Sequence, residues 1–267
     1  MTGEAPSPDA PAPGWALASG RDVLATAVVV VGIVAAMQVM SFFTPAYIMP
    51  PPRAILSATV GILGEDLRHV GVTLLRWLAG VVVALVAGSA VGVLMASVRG
   101  LAPYLRAALF IDTGVPALSW MLLAILWFKS TEERIFFILI VLLLPFYALN
   151  VYDGIRALPR EWVEMVDVFR PSRGQVLRLL VLPHVVPYVI MTTKSVVGYA
   201  IRMTIFAELV ASAIGVGARM ANAQSTLQVD VVMAWTFLLV VLNFLVQGVV
   251  SLAERRLLGW RAEAVIR

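Results

Sequence analysis

Cysteine is absent from the 267 residues, which excludes disulfides, zinc–thiolate sites and thiol nucleophiles. Histidine occurs twice, at His69 and His184; these lie too far apart in sequence to read as a paired metal site, and both are expected at an interface. Charge is scarce: 13% of the residues are charged, against about 25% in an ordinary soluble domain. Lysine occurs only at Lys129 and Lys194, and neither follows a G-x-x-x-x-G-K-[ST] loop. With no P-loop to cradle a nucleotide phosphate, any ATP that drives this protein must be hydrolysed on another chain. Gly-x-Ser-x-Gly and His-Glu-x-x-His are also missing, so no catalytic residue is assigned.

What the chain has in abundance is apolar sequence: 61% hydrophobic residues and a mean hydropathy of +0.93. Six runs approach or exceed the roughly 20 residues that cross a bilayer as a helix: 23–43, 72–97, 104–128, 135–153, 185–211 and 231–253. The runs are continuous and do not alternate, so they read as helices, which satisfy their own backbone hydrogen bonds in lipid. The expectation is an all-α polytopic membrane protein with six transmembrane helices in one domain, 21–267. Residues 1–20, rich in Pro, Ala, Ser and Gly, are expected to be disordered. They lack the basic start of a secretory signal, so the first run reads as a retained anchor. Segment 54–71, entered through Pro50-Pro51-Pro52, reads as an interfacial helix, and Pro145 as a possible kink in the fourth run.

The net charge of +4 is read as membrane topology, not as a nucleic-acid footprint. With the N-terminus inside, the inner segments carry Arg21, Arg99, Arg106, Arg156, Arg160, Arg170, Arg173, Arg178, Arg255, Arg256, Arg261 and Arg267. The outer segments carry only Arg53, Arg68, Lys129, Arg134 and Arg219. This bias puts both termini, and the polar loop at about 154–183, in the cytoplasm.

That loop carries the strongest functional signal. Trp162, Met165, Val166 and Phe169 recur at helical spacing, with Glu161, Glu164 and Asp167 on other faces and Arg170 and Arg173 following. Acids early and bases late complement a helix dipole. Such a segment can insert an apolar stripe into a partner's groove, its charges setting register, or rest on lipid as a plain amphipathic helix.

The loop and its Leu182-Pro183 exit resemble the "EAA" coupling loop of bacterial ABC-importer permeases. From about Met49 to Arg261 the order of features is similar to the nitrate/sulfonate/taurine permease family: "MPPPRAIL", "TLLRWLAGVVVALVAGSAVGVLMA", "VPALSWMLLAILWF", "AELVASAIGVGARM" and "ERRLLGWR". The resemblance implies a type I ABC-importer permease of the bacterial inner membrane. It also implies a second permease copy, two ATPase subunits that hold ATP and magnesium, and a periplasmic or extracellular solute-binding protein. It assigns Glu161, Trp162, Glu164, Met165, Asp167, Phe169, Arg170, Arg173, Leu182 and Pro183 to ATPase coupling. No cofactor is expected in this chain. The sequence departs from the family pattern where Met165 and Val166 replace two alanines, Arg170 replaces a glycine, and Lys129 and Thr192 replace two others. Because Pro171 follows, Arg170 is expected in extended backbone, and the turn to be built differently.

Asp112, Lys194, Arg202 and Glu208 fall within the predicted spans, where a charge at the centre costs about 2.5–3.5 kcal/mol on insertion scales. Lys194, Gly198 and Arg202 share one helix face at four-residue steps, and Thr204 and Glu208 form a second such pair. These residues read as lining a substrate path, with Arg202 favouring an anion. The alternative is structural pairing, of Arg202 with Asp112 or with Glu208 of a second copy, and Lys194 can snorkel to the interface. Gly80, Gly88, Ser89 and Gly92 read as a close-packing surface. An ATP-independent carrier or channel would account for the charges equally well. It would not account for the loop, and no inverted repeat is seen.

Overall fold

The computed structural model describes residues 20–98 and 100–257; the side chains of Arg21, Asp22, Asp167, Arg173, Arg255 and Leu257 are outside that description. Eleven α-helices run through the described residues. They are α1 (Gly20–Met40), α2 (Pro52–Glu65), α3 (Leu67–Ser97), α4 (Ala102–Gly114), α5 (Ala117–Trp127) and α6 (Thr131–Arg156). Then follow α7 (Arg160–Asp167), α8 (Arg173–Val176), a π-helical turn at Leu177–Val181, α9 (Leu182–Ala211), α10 (Val216–Ser225) and α11 (Val229–Leu257). The segment expected to be disordered lies outside the described residues except for Gly20, which opens α1. Arg99, Arg261 and Arg267 of the charge count also lie outside them.

Five stretches are long and apolar enough to cross a membrane unbroken: within α1, α3, α6, α8–α9 and α11. The sixth expected span, 104–128, is not one helix. It divides into α4 and α5, which meet at 97°. The cause is Pro116: it has no N–H to donate, and it pushes Val115 out of the helical region, to ψ 126°. The expected interfacial helix 54–71 also divides. Pro52 occupies the first turn of α2, where a missing N–H costs nothing. The chain breaks at Asp66, and α3 begins at Leu67, five residues before the expected span. At 1.5 Å per residue the 31 residues of α3 run about 46 Å, longer than the roughly 30 Å hydrocarbon core.

α3 and α6 run parallel and pack along most of their length. A β-carbon on Gly88 would stand 2.7 Å from Tyr147 Cβ and 2.8 Å from the Leu144 carbonyl; one on Gly92 would stand 2.6 Å from the Ala148 carbonyl. These are the glycines singled out from the sequence, and their bare backbone sets how closely the two helices approach. α9 packs antiparallel to α6, with the Tyr147 and Thr193 hydroxyls 3.2 Å apart. The main core fills the space between α3, α5, α6 and α9, centred on Met121, Ile135, Leu139, Leu143, Tyr147 and Ile201. A second cluster around Met95, Leu109 and Tyr152 holds α4 to α3 and α6, and a third around Ile62, Val216 and Trp235 joins α2, α10 and α11. The bundle thus has two distinct ends, one carrying α7 and the other α10.

Candidate functional site: the α7 end and the charges on α9

At the α7 end, Pro159 ends the α6 turn and α7 runs for eight residues. Glu161 and Glu164 are exposed. Trp162 and Met165 line a cleft of about 310 Å³ whose other wall is Leu179, Leu180, Pro183, His184 and Pro187. The Trp162 indole meets the His184 ring edge to face, centroids 5.8 Å apart, and His184 in turn contacts Tyr188 at 5.7 Å. Phe169 therefore does not continue the stripe of Trp162 and Met165. It follows the end of α7 and projects with Val168 into the surroundings, 81% and 79% exposed.

Arg170 has φ 47°, the left-handed backbone that glycine adopts without cost. This overturns the expectation of extended backbone. The turn keeps the shape a glycine would give it, although the residue is arginine and proline follows. Ser172 and Gln175 then form a reciprocal cap. The Ser172 N–H donates to Gln175 Oε1 at 2.8 Å, and the Gln175 N–H to Ser172 Oγ at 3.3 Å. Leu182 and Pro183 are not a loop exit; they form the first turn of α9, and both are exposed. Pro183 cannot donate to the Leu179 carbonyl four residues back, and the π turn at Leu177–Val181 lies where that bond is lost.

The charges on α9 separate into three environments. Lys194 pairs with Glu254 of α11 at 2.6 Å, both partly exposed. Arg202 is exposed, and its Nε donates to the Gly198 carbonyl of its own helix at 3.0 Å. It does not pair with Asp112, which is half-buried one turn before the break between α4 and α5. Thr204 and Glu208 are fully buried inside the chain and border no open face in this structure.

The partner of Glu208 is Arg76 of α3. Arg76 Nη1 donates to Glu208 Oε1 at 2.9 Å and to the Ile214 carbonyl at 2.6 Å, and the same guanidinium forms a two-bond pair with Glu132 at the start of α6. Arg76 is 6% exposed and Glu208 0%. The Thr73 hydroxyl donates to Glu208 Oε2 at 2.7 Å. The first amides of α10 are satisfied from the same cluster: Gly215 N–H donates to His69 Nδ1, Val216 N–H to Thr73 Oγ1, and Gly217 N–H to Glu208 Oε2. A helix start normally leaves such donors without partners, and its positive end favours a carboxylate. Gly215, at φ 124°, lies so close to the Glu208 carboxyl that no side chain fits between them. Arg219 fastens the other side of α10 through Asp66, at 2.7 Å. Sequence reasoning missed this network. Its one available signal was that an arginine and a glutamate within spans each require an opposite charge.

Residues 80–259 match the family described as the binding-protein-dependent transport system inner membrane component. The chain belongs to this family. It is 27% identical over 242 residues to the taurine transport system permease protein TauC of Escherichia coli K12, covering 86% of this chain and 85% of TauC. It is 28% identical over 219 residues to SsuC of Bacillus subtilis strain 168, named for aliphatic sulfonate transport, covering 81% of this chain and 79% of that protein. Among solved structures, a chain of the MetNI methionine ABC transporter in an inward-facing conformation superposes with a TM-score of 0.63. The match is at 19% identity and covers 73% of this chain and 97% of that one. The fold is that of an ABC-importer permease, and this inner-membrane protein is the membrane permease subunit of an importer, not its ATPase.

Proposed function

We propose that two copies of this chain form the translocation path for a small anionic solute such as a sulfonate. Two ATPase subunits dock at the α7 ends, and a solute-binding protein delivers substrate at the α10 ends. Both termini and α7 face the cytoplasm, as the arginine bias favours. The exposed Val168–Phe169–Arg170 tip, braced from behind by the Trp162–His184 cleft, carries the docking reading. A protruding apolar tip ringed by Glu161, Glu164 and Arg170 suits a groove on a partner better than a flat lipid surface. Movement of α7, transmitted through the first turn of α9, alternates access to the path. Arg202, exposed on α9 and bonded among the described residues to one backbone carbonyl of its own helix, supports the anionic substrate. The names of TauC and SsuC agree with it.

The test is co-purification of the tagged chain from its native membranes in mild detergent. An ATPase is expected at one copy per permease with the wild type, and its loss with Glu164→Lys plus Arg170→Glu or with Phe169→Asp. Retention of the ATPase by both variants refutes docking at α7.

A further inference from the structure

A second cavity at the α7 end takes no part in this scheme. It measures about 540 Å³ and lies where four helices end or begin: Ala96 in α3, Ala102 in α4, Tyr152, Ile155 and Arg156 in α6, and Arg160 in α7. Its basic character is built in. The guanidinium of Arg156 stands 5.7 Å from the centre of the Tyr152 ring and donates to its hydroxyl at 3.1 Å. Arg106 stands 5.3 Å from the same ring. Arg106 also pairs with Asp153 at 3.3 Å, with both side chains more than half exposed. Two guanidinium groups, Arg106 and Arg156, thus flank the Tyr152 ring, and Arg156 and Arg160 both line the cavity.

We infer that this cavity binds the phosphate of an anionic phospholipid headgroup. Guanidinium forks match phosphate oxygens in pairs, and basic pockets between helix ends are where such headgroups bind. The position agrees. The cavity lies at the rim of the apolar spans, and α4, whose first turn borders it, exposes Tyr104, Phe110 and Ile111 to meet acyl chains. A phosphate held by Arg156 and Arg160 would tie the last turn of α6 to the first residue of α7 across the turn at 157–159.

The site does not depend on which face of the membrane α7 occupies, and the test does not either. The full chain, purified in mild detergent, is mixed with phosphatidylglycerol or phosphatidylcholine, and bound lipid is counted by native mass spectrometry. The wild type is expected to retain phosphatidylglycerol at least tenfold better than phosphatidylcholine. Arg160→Gln, a change at an exposed position that folding should tolerate, and Arg156→Gln with Arg160→Gln, should lose this preference. Arg160→Lys should keep part of it, and Arg53→Gln with Arg68→Gln, at the other end, all of it. An unchanged preference in both glutamine variants overturns the inference. A third arm adds inorganic phosphate in excess. Failure to displace the lipid upholds the lipid assignment. Displacement, together with Arg160-dependent binding of phosphate alone, overturns it in favour of a soluble anion.

Discussion

Arg76 and Glu208 are 132 positions apart in the chain, and Arg76 Nη1 donates to Glu208 Oε1 at 2.9 Å. Each is buried and each depends on the other. Arg76→Ala leaves Glu208 with an uncompensated charge, which costs about 3–5 kcal/mol in comparable buried pairs. Glu208→Gln should cost less, because the amide oxygen still accepts from Thr73 and Gly217. Thermal unfolding of the purified permease should rank the variants in that order. An Arg76→Ala protein that melts with the wild type would show the pair to be dispensable.

Gly88 and Gly92 set the separation of α3 and α6. Replacing either with valine forces side-chain atoms into Tyr147 and the Leu144 carbonyl, or into the Ala148 carbonyl, and should destabilise by about 1–3 kcal/mol or more. Gly64, with open space around it, is the control: Gly64→Ala should leave the melting temperature unchanged or raised. Equal effects at all three positions would contradict the packing described for α3 and α6.

The left-handed backbone at Arg170 is costly for a residue with a β-carbon, about 1–2 kcal/mol. Arg170→Gly should therefore leave the turn intact, with slower amide exchange at 168–176, whereas Arg170→Val should speed exchange there. Hydrogen exchange on the detergent-solubilised chain reads both. Slower exchange in the valine variant would mean that the turn is not left-handed in solution.

Arg202 is exposed and, among the described residues, bonded only to its own helix, so Arg202→Gln should shift stability by less than about 0.5 kcal/mol. If it faces the path, uptake of an anionic substrate by the reconstituted importer should fall at least tenfold, with partial recovery in Arg202→Lys. Full transport in Arg202→Gln would remove this residue from the path.

Much of the architecture was legible in the sequence because a membrane imposes long apolar runs, and five of the six appear as unbroken helices. The break at Val115–Pro116 was also written there, as a proline within an apolar run, but hydropathy averages over such a residue. The α7 segment was legible from its amphipathic spacing. The divergence of Phe169 from Trp162 and Met165 was not, because α7 stops after Asp167 and the chain turns. The pairing of charges was the least legible. Arg76, Asp112, Arg202 and Glu208 offer several pairings of opposite sign, and only the helix packing brings Glu208 to Arg76 and leaves Arg202 outside.

The two ends of the bundle differ in how firmly they are fastened. One carboxylate, Glu208, is bonded to α3 through Thr73 and Arg76 and to the opening amide turn of α10, while Arg76 also grips α6. Any motion that leaves these bonds intact must carry α3, α6, α9 and α10 together at that end, as spokes on one hub. At the α7 end, α9 follows directly on a π turn, carries Pro183 and Pro187 in its opening turns, and meets α7 through an aromatic contact. Displacement applied there is free to grow along the helices and fade toward the hub, so the protein is shaped as a lever with its fulcrum at Arg76.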